Sequence, residues 1–550
     1  LTFFTSQKCR LEAGGPRKEV MNATRIVDRW NRLKLDRSTH EGVWQEIAEY
    51  LRPLRAEFLA ATRTPGARRD QKVFDSTPLI AADNFTGGIY AMMTNPANRW
   101  LALKLEDDDL NEYAPARDWL YDVETRVLNS FGPQISRFYN VIPALYGDLA
   151  CFGNGVFSSE EVASGERRIL DRTHALADIC ITENALGDVD TVYRRFTVEA
   201  RNALSMFGDG LSRAAQKAAE QDPFKKLEFI HCVEPAQEGA TPHAFASTYV
   251  EVDARLAVGR GGYAEMPYQV PRWTQASGEI YGRGLGESVI ADVKMLNRMD
   301  RTTIRAAEKM ADPPLLAGDE GVVKAARTYS GGVTYGAIDS AGNPLIKPLY
   351  TGANVSVAFE MMEARRNTIR DGFYFSLLQL VGSPTMTATE WLGRQEEKLR
   401  LMGPNLGRIQ SEFLSPLIRR RFGILSRANQ LPPAPPEIRG FPLRVEYVSP
   451  LARAQAAGEA HAVVRLYESV LPLAKADPSV MDNLDHDEAV QTLARGWAVP
   501  AKILRDKAQV AAMREEREEA QAVESAIATA REGADILHTL TDAAVNEADA

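Results

Sequence analysis

Two long helical patterns separated by a glycine-rich stretch constrain this 550-residue chain more than any other feature. In the first, apolar residues recur every three to six positions between Leu285 and Met310, and charged residues fill the other positions. This spacing predicts one amphipathic helix over 285–311. A second pattern predicts a helix over 354–381. Helices in globular proteins average about 11–12 residues, so the pair predicts an extended element with one apolar stripe on each helix.

The segments around these helices predict short, irregular structure. Residues 312–350 are glycine-rich and contain strand-like runs such as "GGVTYGAI". "VGSPT", at 381–385, interrupts the second helix. Thr387 and Glu390 then form a capping box that starts another helix, because each side chain can satisfy a free amide of the first turn. The order is helix, small β excursion, helix, short loop, helix.

The rest of the chain mixes helices with strands. Helical spacing appears at 21–60, 76–94 and 115–150, and β-branched runs such as "DVDTVYRRFTV" follow up to about residue 268. After the stiff proline-rich linker "LPPAPPE", "LRVEYV" predicts one strand, and residues 451–510 predict two to four helices. The fold class predicted is α+β, mostly helical.

Charge is distributed unevenly along the chain. The net charge is −9, and residues 514–550 contain three basic and ten acidic residues, a net of −7. The remainder therefore carries −2, without the basic footprint of a protein that grips nucleic acid tightly. The acidic, alanine-rich tail predicts an exposed helix instead of a packed one.

Several classes of protein are disfavoured by composition. No stretch approaches the roughly 18 uncharged apolar residues that a membrane span needs. The four cysteines are too few and too scattered for a disulfide framework or a zinc site, which favours folding in a reducing cytosol. The first 20 residues lack a signal-peptide core, and Met21 opens the first patterned segment. We expect residues 1–20 to be an extension or an expression remnant.

Three motifs deserve comparison with simpler explanations. "GRGLGES", Gly282 to Ser288, precedes a helix, but its G-x-G-x-G spacing fits neither a dinucleotide fingerprint nor a P-loop. A flexible entry to the long helix explains it better. The carboxylates of "EDDD" at 106–109 lack the glycine and terminal glutamate of a calcium loop. His486 lies among carboxylates without a second His or Cys nearby. We therefore predict no catalytic residue, no metal site, no cofactor and no enzyme activity.

Four segments, in order, resemble the head-to-tail connecting (portal) proteins of short-tailed, double-stranded DNA bacteriophages. Each match is loose alone, but four in one order are fairly specific, and together they span about residues 21–507. The first 20 residues and the acidic tail depart from the family pattern. The four segments are "NFTGGIYAMMTNPANRWLALKL", "YGRGLGESVIADVKMLNRM", "TATEWLGRQEEKLRLMGPNLGRIQSEFLSPLIRRRFGIL" and "VEYVSPLARAQ".

The resemblance implies a subunit with wing, stem, clip and crown regions that assembles into a ring, typically of twelve copies. The implied regions are the wing at 21–284, the first stem helix at 285–311, the clip at 312–350, the second stem helix at 351–381, the tunnel loop at 382–386, helices returning to the wing with the linker and strand at 387–450, the crown at 451–510 and the acidic tail at 511–550.

The resemblance also implies a function. The ring would sit at one capsid vertex of the virion and form the channel through which genomic DNA is packaged and ejected. It would dock the packaging terminase and later the tail adaptor proteins, contact the capsid proteins, and act on DNA without sequence specificity or a membrane. The subunits would be made in the cytoplasm of the host bacterium.

Two sets of residues are implied to do this work. The first is the DNA-channel loop, formed by Gly382, Ser383, Pro384, Thr385 and Met386. These small or uncharged residues can touch moving DNA without holding it. The second is the inter-subunit packing of the stem, assigned to Val289, Val293, Leu296, Met299, Met362, Ile369 and Phe373.

Two other functions remain open at this point. One is a non-channel structural protein, such as a capsid or scaffold subunit, which would assemble into shells or filaments. The other is a nucleotide-binding enzyme that uses "GRGLGES". Electron microscopy of the purified protein separates closed rings from both.

Overall fold

The structure is a computed structural model of the chain. It describes residues 16–59, 66–67, 69–107, 110–111, 113–162, 169–237, 242–317, 326–327, 329–349, 355–375, 402–440, 443–447, 450–475, 477–497, 499, 503–505 and 509–527.

Helices dominate the described residues. Helical structure also covers 402–409, continues as a π-helical turn at Gln410–Leu414, and recurs at 509–527. The α-helices are α1 (Pro16–Asp36), α2 (Ser38–Leu51), α3 (Thr77–Met93), α4 (Ala114–Ser130), α5 (Phe138–Phe152), α6 (Ala200–Phe207), α7 (Arg213–Gln221), α8 (Leu285–Ala311), α9 (Val355–Gly372), α10 (Ser415–Arg427), α11 (Pro450–Ala474) and α12 (His486–Gly496).

The strands form four small antiparallel sheets in the order β1-β12, β10-β11, β3-β2-β9 and β4-β5-β6-β7-β8. With the helices, they confirm an α+β chain that is mostly helical. The strands are β1 (Leu101–Leu105), β2 (Phe157–Glu161), β3 (Ile169–Thr173), β4 (Ile179–Glu183), β5 (Val189–Glu199), β6 (Lys226–Pro235), β7 (Phe245–Glu251), β8 (Leu256–Tyr263), β9 (Tyr268–Gln269), β10 (Leu315–Ala317), β11 (Ile346–Pro348) and β12 (Leu443–Tyr447).

The chain divides into two compact units. The first unit comprises Leu1–Trp100 with Val127–Gln430. Its five-stranded sheet is buried on both faces because successive side chains of a strand point to opposite sides. On β6, Ile230 packs in the cluster that includes Trp30 of α1, whereas the next residue back, Phe229, packs with Ala203 of α6. One sheet therefore joins two hydrophobic cores.

The second unit comprises Leu101–Arg126 with Leu431–Ala550. Its sheet pairs β1 with the predicted strand β12, in a register that sets Leu103 opposite Val445. The indole of Trp119 donates a hydrogen bond to the carbonyl of Pro432 over 3.0 Å. Two strands more than 300 residues apart in the sequence thus form one ladder.

Two predicted boundaries differ from the structure. Helix α9 ends at Gly372, nine residues before the predicted end at 381. The turn that follows places Tyr374 at φ 53, a left-handed conformation that a continuous helix does not contain. At the start of the chain, α1 already includes residues 16–20, so the boundary predicted at residue 20 falls inside a helix.

The tail and the membrane prediction can also be compared with the structure. Residues 509–527 are helical, and residues 511–527 are exposed throughout, as the sequence predicts for the acidic tail. Within the described ranges, no helix combines the length and the apolar character that crossing a membrane requires.

Candidate functional site

The two predicted long helices pack against each other as an antiparallel pair. Near one end, a Cβ added to Gly372 of α9 would collide with the side chain of Val289 on α8. Further along, the Arg365 guanidinium donates to the Asp292 carboxylate over 2.8 Å. The first residues of α8 therefore face the last residues of α9. The segment between them, 312–354, connects the opposite ends of the pair.

The apolar stripes of both helices are buried inside the single chain. Six of the seven residues assigned to inter-subunit packing are at most 4% exposed, and Met299 is partly buried. The six are Val289, Val293, Leu296, Met362, Ile369 and Phe373. Their burial needs no neighbouring copy, because α2, α3 and α5 pack on the same pair. The structure therefore places these side chains in the subunit's own core, and ring contacts along the two helices stay a prediction for other residues.

A polar hub at Asp75 fixes the pair to the loop before α3. The Asn297 side chain on α8 accepts hydrogen bonds from the backbone amides of Phe74 (2.8 Å) and Asp75 (3.3 Å). The Asp75 carboxylate accepts from the amide of Thr77 (2.7 Å) and from the Arg366 guanidinium of α9 (2.8 Å). Burial alone would raise the pKa of Asp75, but the hydrogen bonds from Thr77 and Arg366 outweigh it and lower that pKa. Asp75 thus contacts both long helices, α9 through its carboxylate and α8 through its backbone amide.

The glycines of "GRGLGES" are buried where α8 begins, against the end of α5. A Cβ on Gly282 would lie 2.5 Å from the carbonyl oxygen of Gly153, and one on Gly284 would lie 2.5 Å from the Gly153 amide nitrogen. A Cβ on Gly286 would collide with the carbonyl of Cys151. The motif serves close backbone packing because only glycine leaves room for it.

Hydrogen bonds lock the same crossing. The Asn154 side chain donates to the Gly282 carbonyl (2.9 Å) and accepts from the Gly282 amide (2.8 Å). The Trp273 amide donates to the Gly153 carbonyl over 2.8 Å. The interpretation of a flexible helix entry is therefore wrong.

The pair becomes exposed towards its connecting segment. Ile304 and Met310 on α8 are 44% and 59% exposed, and Phe359 and Met361 on α9 are 56% and 47% exposed. The two-stranded sheet β10-β11 lies between the helices in sequence, and all three residues of β10 are exposed. Large exposed apolar side chains concentrated in one part of a molecule are typical of a surface that a partner covers.

The predicted DNA-channel loop, Gly382, Ser383, Pro384, Thr385 and Met386, lies outside the described residues, as does the capping box. The described residues on either side of 376–401 are firmly held. On one side, Phe373 and Tyr374 pack against Phe85 of α3.

On the other side of 376–401, a buried arginine holds the π-helical turn. The Arg272 backbone amide and guanidinium donate to the Glu412 carboxylate at distances of 2.8 to 3.2 Å. The same guanidinium binds Glu183 and the carbonyl of Gly187. Because Arg272 is only 3% exposed, it fixes the place where the chain returns to the body.

Among the described residues, no group of three or more His, Cys, Asp or Glu side chains could hold a metal ion. Of "EDDD", Glu106 and Asp107 are exposed. His486 bonds through its Nδ1 to the Tyr467 hydroxyl over 2.7 Å, and its neighbour Asp487 pairs with Arg514.

Comparison with known proteins identifies the family to which the chain belongs. Residues 23–504 match the family described as bacteriophage head to tail connecting protein. The chain belongs to the family of bacteriophage head to tail connecting proteins. It is 29% identical over 525 residues to the probable portal protein of Bordetella phage BPP-1, covering 93% of this chain and 94% of that protein. It is 27% identical over 533 residues to the portal protein of Salmonella phage epsilon15, covering 94% and 95%.

Membership in this connecting-protein family confirms the resemblance found in the sequence, and it marks the chain as a structural component. Sequence reasoning missed the Asp75 hub and Arg272. The one available signal for the hub is Asn297, a polar residue set between the apolar positions Val293 and Leu296. Buried polar side chains need partners, so its position indicates a fixed contact.

Proposed function

We propose that this protein is the portal subunit of a bacteriophage, one copy of a ring at a single capsid vertex through which genomic DNA enters and leaves. The observation that carries the proposal is the family match over 23–504, with two portal proteins similar over more than nine tenths of both chains. The subunit is a virion component. It docks the packaging terminase first and the tail proteins later, and it contacts the capsid.

The ring consists of twelve copies related by rotation about the channel. Such a ring needs heterologous interfaces, in which one surface of a subunit contacts a different surface of the next. The body up to residue 284 is the wing, α8 and α9 form the stem, 312–350 forms the clip, and α11 with α12 forms the crown. The exposed apolar residues of the stem, which lie towards the clip, supply surface that neighbouring subunits can cover.

The two-stranded sheet of the clip needs a neighbouring chain for stability. An isolated two-stranded sheet is at best marginally stable in water, yet among the described residues β10 and β11 pair only with each other and leave Leu315, Leu316 and Leu349 exposed. In the ring, strands of adjacent subunits extend this sheet and bury those side chains. The clip then faces outward, where the terminase and the tail proteins bind.

The loop at 382–386 lines the narrowest part of the channel. It carries no charge, and each phosphate gripped by a basic residue adds a salt-dependent binding energy that would slow DNA. Replacing Ser383 and Thr385 with Lys should therefore slow packaging while rings still assemble, and added salt should partly relieve the defect. Normal packaging by this double variant at low salt would remove the loop from the channel.

The proposed function is tested by negative-stain electron microscopy and native mass measurement of the purified full chain. We expect closed rings with a central channel and a mass near twelve subunits. Shells, filaments or a protein that remains monomeric at all concentrations would contradict the proposal. Measurable binding of a nucleotide to the purified protein would favour the enzyme alternative instead.

A further inference from the structure

The exposed faces of the two stem helices carry opposite charge at the same spacing. Both sets are spaced i, i+3, i+7 and i+11, which places them along one side of a helix that turns by about 100° per residue. On α8 the set is Arg298, Arg301, Arg305 and Lys309, called the basic stripe here. On α9 it is Glu360, Glu363, Asn367 and Asp371, called the acidic stripe here.

Both stripes lie opposite the buried side of their own helix. Counting about 100° per residue, Leu296 and Val293 of the core lie about 140–160° around α8 from Arg298. Met362 and Ile369 lie about 160–180° around α9 from Glu360. All eight stripe residues are classed as exposed, in agreement with this count. The subunit's own packing therefore leaves both stripes at its surface.

The first members of the two stripes, Arg298 and Glu360, have no ion-pair partner among the described residues. By contrast, Glu363 pairs with Arg366 and Arg370 of its own helix. Arg301 lies over the ring of Phe74 at 5.6 Å. The charges available to a partner are thus a cation on α8 and a carboxylate on α9.

The antiparallel packing sets Arg298 and Glu360 at nearly the same level. Arg365 bonds to Asp292, which fixes the register of the two helices. Arg298 lies six residues beyond Asp292, and Glu360 lies five residues before Arg365. At about 1.5 Å of rise per residue, these steps are about 9 Å and about 7.5 Å in the same direction. If the two helices run along the channel axis, rotation about that axis leaves this level unchanged, and Glu360 of the next copy in a ring is also level with Arg298.

We propose that adjacent copies of this chain meet where the two stripes begin, with Arg298 on α8 of one copy facing Glu360 on α9 of a second copy. The inference rests on the proposed ring and assigns the surfaces that form it. Exposed apolar side chains lie at the same level as this contact, namely Met295 on α8 and Phe359 and Met361 on α9. A charged centre with apolar flanks fits a protein neighbour, because complementary charge fixes register while apolar area provides affinity.

DNA is the other occupant that a basic stripe could attract. Four cations per subunit would place about four dozen in a ring of twelve, and each phosphate contact adds salt-dependent binding that opposes sliding. DNA also offers nothing to cover Met295 and Ile304. The carboxylates on α9 cannot bind phosphates. A second copy of the chain that presents its α8 cations would bind them. The charge pattern therefore favours a second copy.

A charge-exchange experiment on the full chain tests the inference. The variants are Arg298→Glu, Glu360→Arg and the double variant, with Arg305→Glu as a matched control on the same stripe. Arg305 lies thirteen residues beyond Asp292, past the level at which α9 begins at Val355. Rings are counted by electron microscopy and native mass measurement at low salt, and circular dichroism checks folding.

We expect each single variant at 298 or 360 to reduce the fraction of subunits in rings at least tenfold, while both remain folded. The double variant should restore that fraction to within twofold of the wild type, and Arg305→Glu should keep it within twofold. Restoration is the decisive result, because general damage by two substitutions cannot cancel.

Other outcomes overturn the inference. Unchanged rings in both single variants, or a double variant that fails to recover, contradict the assigned contact and leave the ring itself standing. Intact rings together with equal loss of DNA passage in Arg298→Glu and Arg305→Glu would assign the stripe to DNA. A wild-type chain that never forms rings contradicts the proposed function and this inference together.

Discussion

The two halves of α8 have opposite environments although they form one continuous helix. In the first half, Val293 and Leu296 are fully buried and the glycines at its start touch the backbone of α5. In the second half, Ile304 and Met310 are about half exposed, and the basic stripe faces outward. The first half is held by its own chain, whereas the second half has large apolar side chains that its own chain leaves uncovered.

This contrast separates folding from assembly. Substitutions in the first half should change the free energy of unfolding of the single chain. Substitutions in the second half should leave folding nearly intact and change the fraction of subunits in rings. An apolar stripe read from sequence does not distinguish the two, because core and interface both require apolar residues.

The largest expected effect compares Leu296→Asp with Ile304→Asp on the same helix. Leu296 is 0% exposed, so a carboxylate there is buried without a partner and should cost more than about 4 kcal/mol. We expect this variant to be unfolded in circular dichroism and to form no rings for that reason. If Leu296 packed only between subunits, as the sequence analysis assigned it, the variant would be a folded monomer; its burial within the chain predicts unfolding instead.

Ile304→Asp is the matched comparison. Ile304 is 44% exposed, so its free energy of unfolding should change by less than about 1 kcal/mol. Rings should nevertheless become fewer, because the side chain belongs to the uncovered surface. Equal unfolding midpoints for the two variants in urea would show that the halves of α8 do not differ.

The second prediction concerns the effect of pH on the free energy of unfolding, through two buried histidines. His231 is fully buried, with Nδ1 bonded to the Tyr268 hydroxyl (2.8 Å) and Nε2 to the Ser247 hydroxyl (2.9 Å). Burial, and then the Arg194 guanidinium, lower the pKa of His231 well below its usual value. Burial lowers the pKa of His174 in the same way.

The direction in which pH changes the free energy of unfolding follows from proton uptake. The folded chain keeps both histidines neutral, while the unfolded chain binds protons below about pH 6.5, so the free energy of unfolding falls as pH falls through that value. The loss by pH 5 is at most about 2 kcal/mol for each histidine.

Urea unfolding at pH 7, 6 and 5 measures this loss. His231→Gln should reduce the dependence on pH, whereas His461→Gln, at an exposed position of α11, should not. A pH dependence that is the same in both variants would mean that other groups cause it.

The sequence predicted what depends on local pattern. The bounds of α8 follow from apolar recurrence alone, and β5 and β12 follow from runs that contain β-branched and aromatic residues. The Asp75 hub was not predictable, since Asn297 and Phe74 are 223 residues apart. Periodicity also cannot tell that α9 ends at Gly372, because the residues after it continue the apolar spacing. Long-range contacts and a left-handed turn decide those features.

The third prediction tests the close crossing that begins the first half of α8. Gly286→Ala places a Cβ against the Cys151 carbonyl, and relieving that overlap should cost about 1–3 kcal/mol. Gly42→Ala is the matched control, because it lies within α2 and a Cβ there meets nothing within 4 Å. Alanine in a helix is about 1 kcal/mol more favourable than glycine, so the control should be unchanged or more stable. Thermal unfolding of both variants measures the difference, and equal destabilisation would contradict the crossing.

The smallest effect is expected at the tail, which tests whether exposure alone marks an assembly surface. Residues 511–527 are as exposed as the second half of α8, and Met513, Val523 and Ile527 are among them. The tail differs because its charges are mostly of one sign: five of the seven charged residues at 514–527 are acidic.

Arg514 forms an exposed ion pair with Asp487, a kind of contact worth no more than about 1 kcal/mol. The tail presents mostly acidic charge, without the pair of opposite stripes that α8 and α9 present. We therefore expect truncation after Met513 to change the free energy of unfolding by less than about 1 kcal/mol and to leave the fraction of rings unchanged in native mass measurement. If rings are lost, exposed helix surface as such would be sufficient for assembly, and the opposite charges of α8 and α9 would no longer distinguish the stem from the tail.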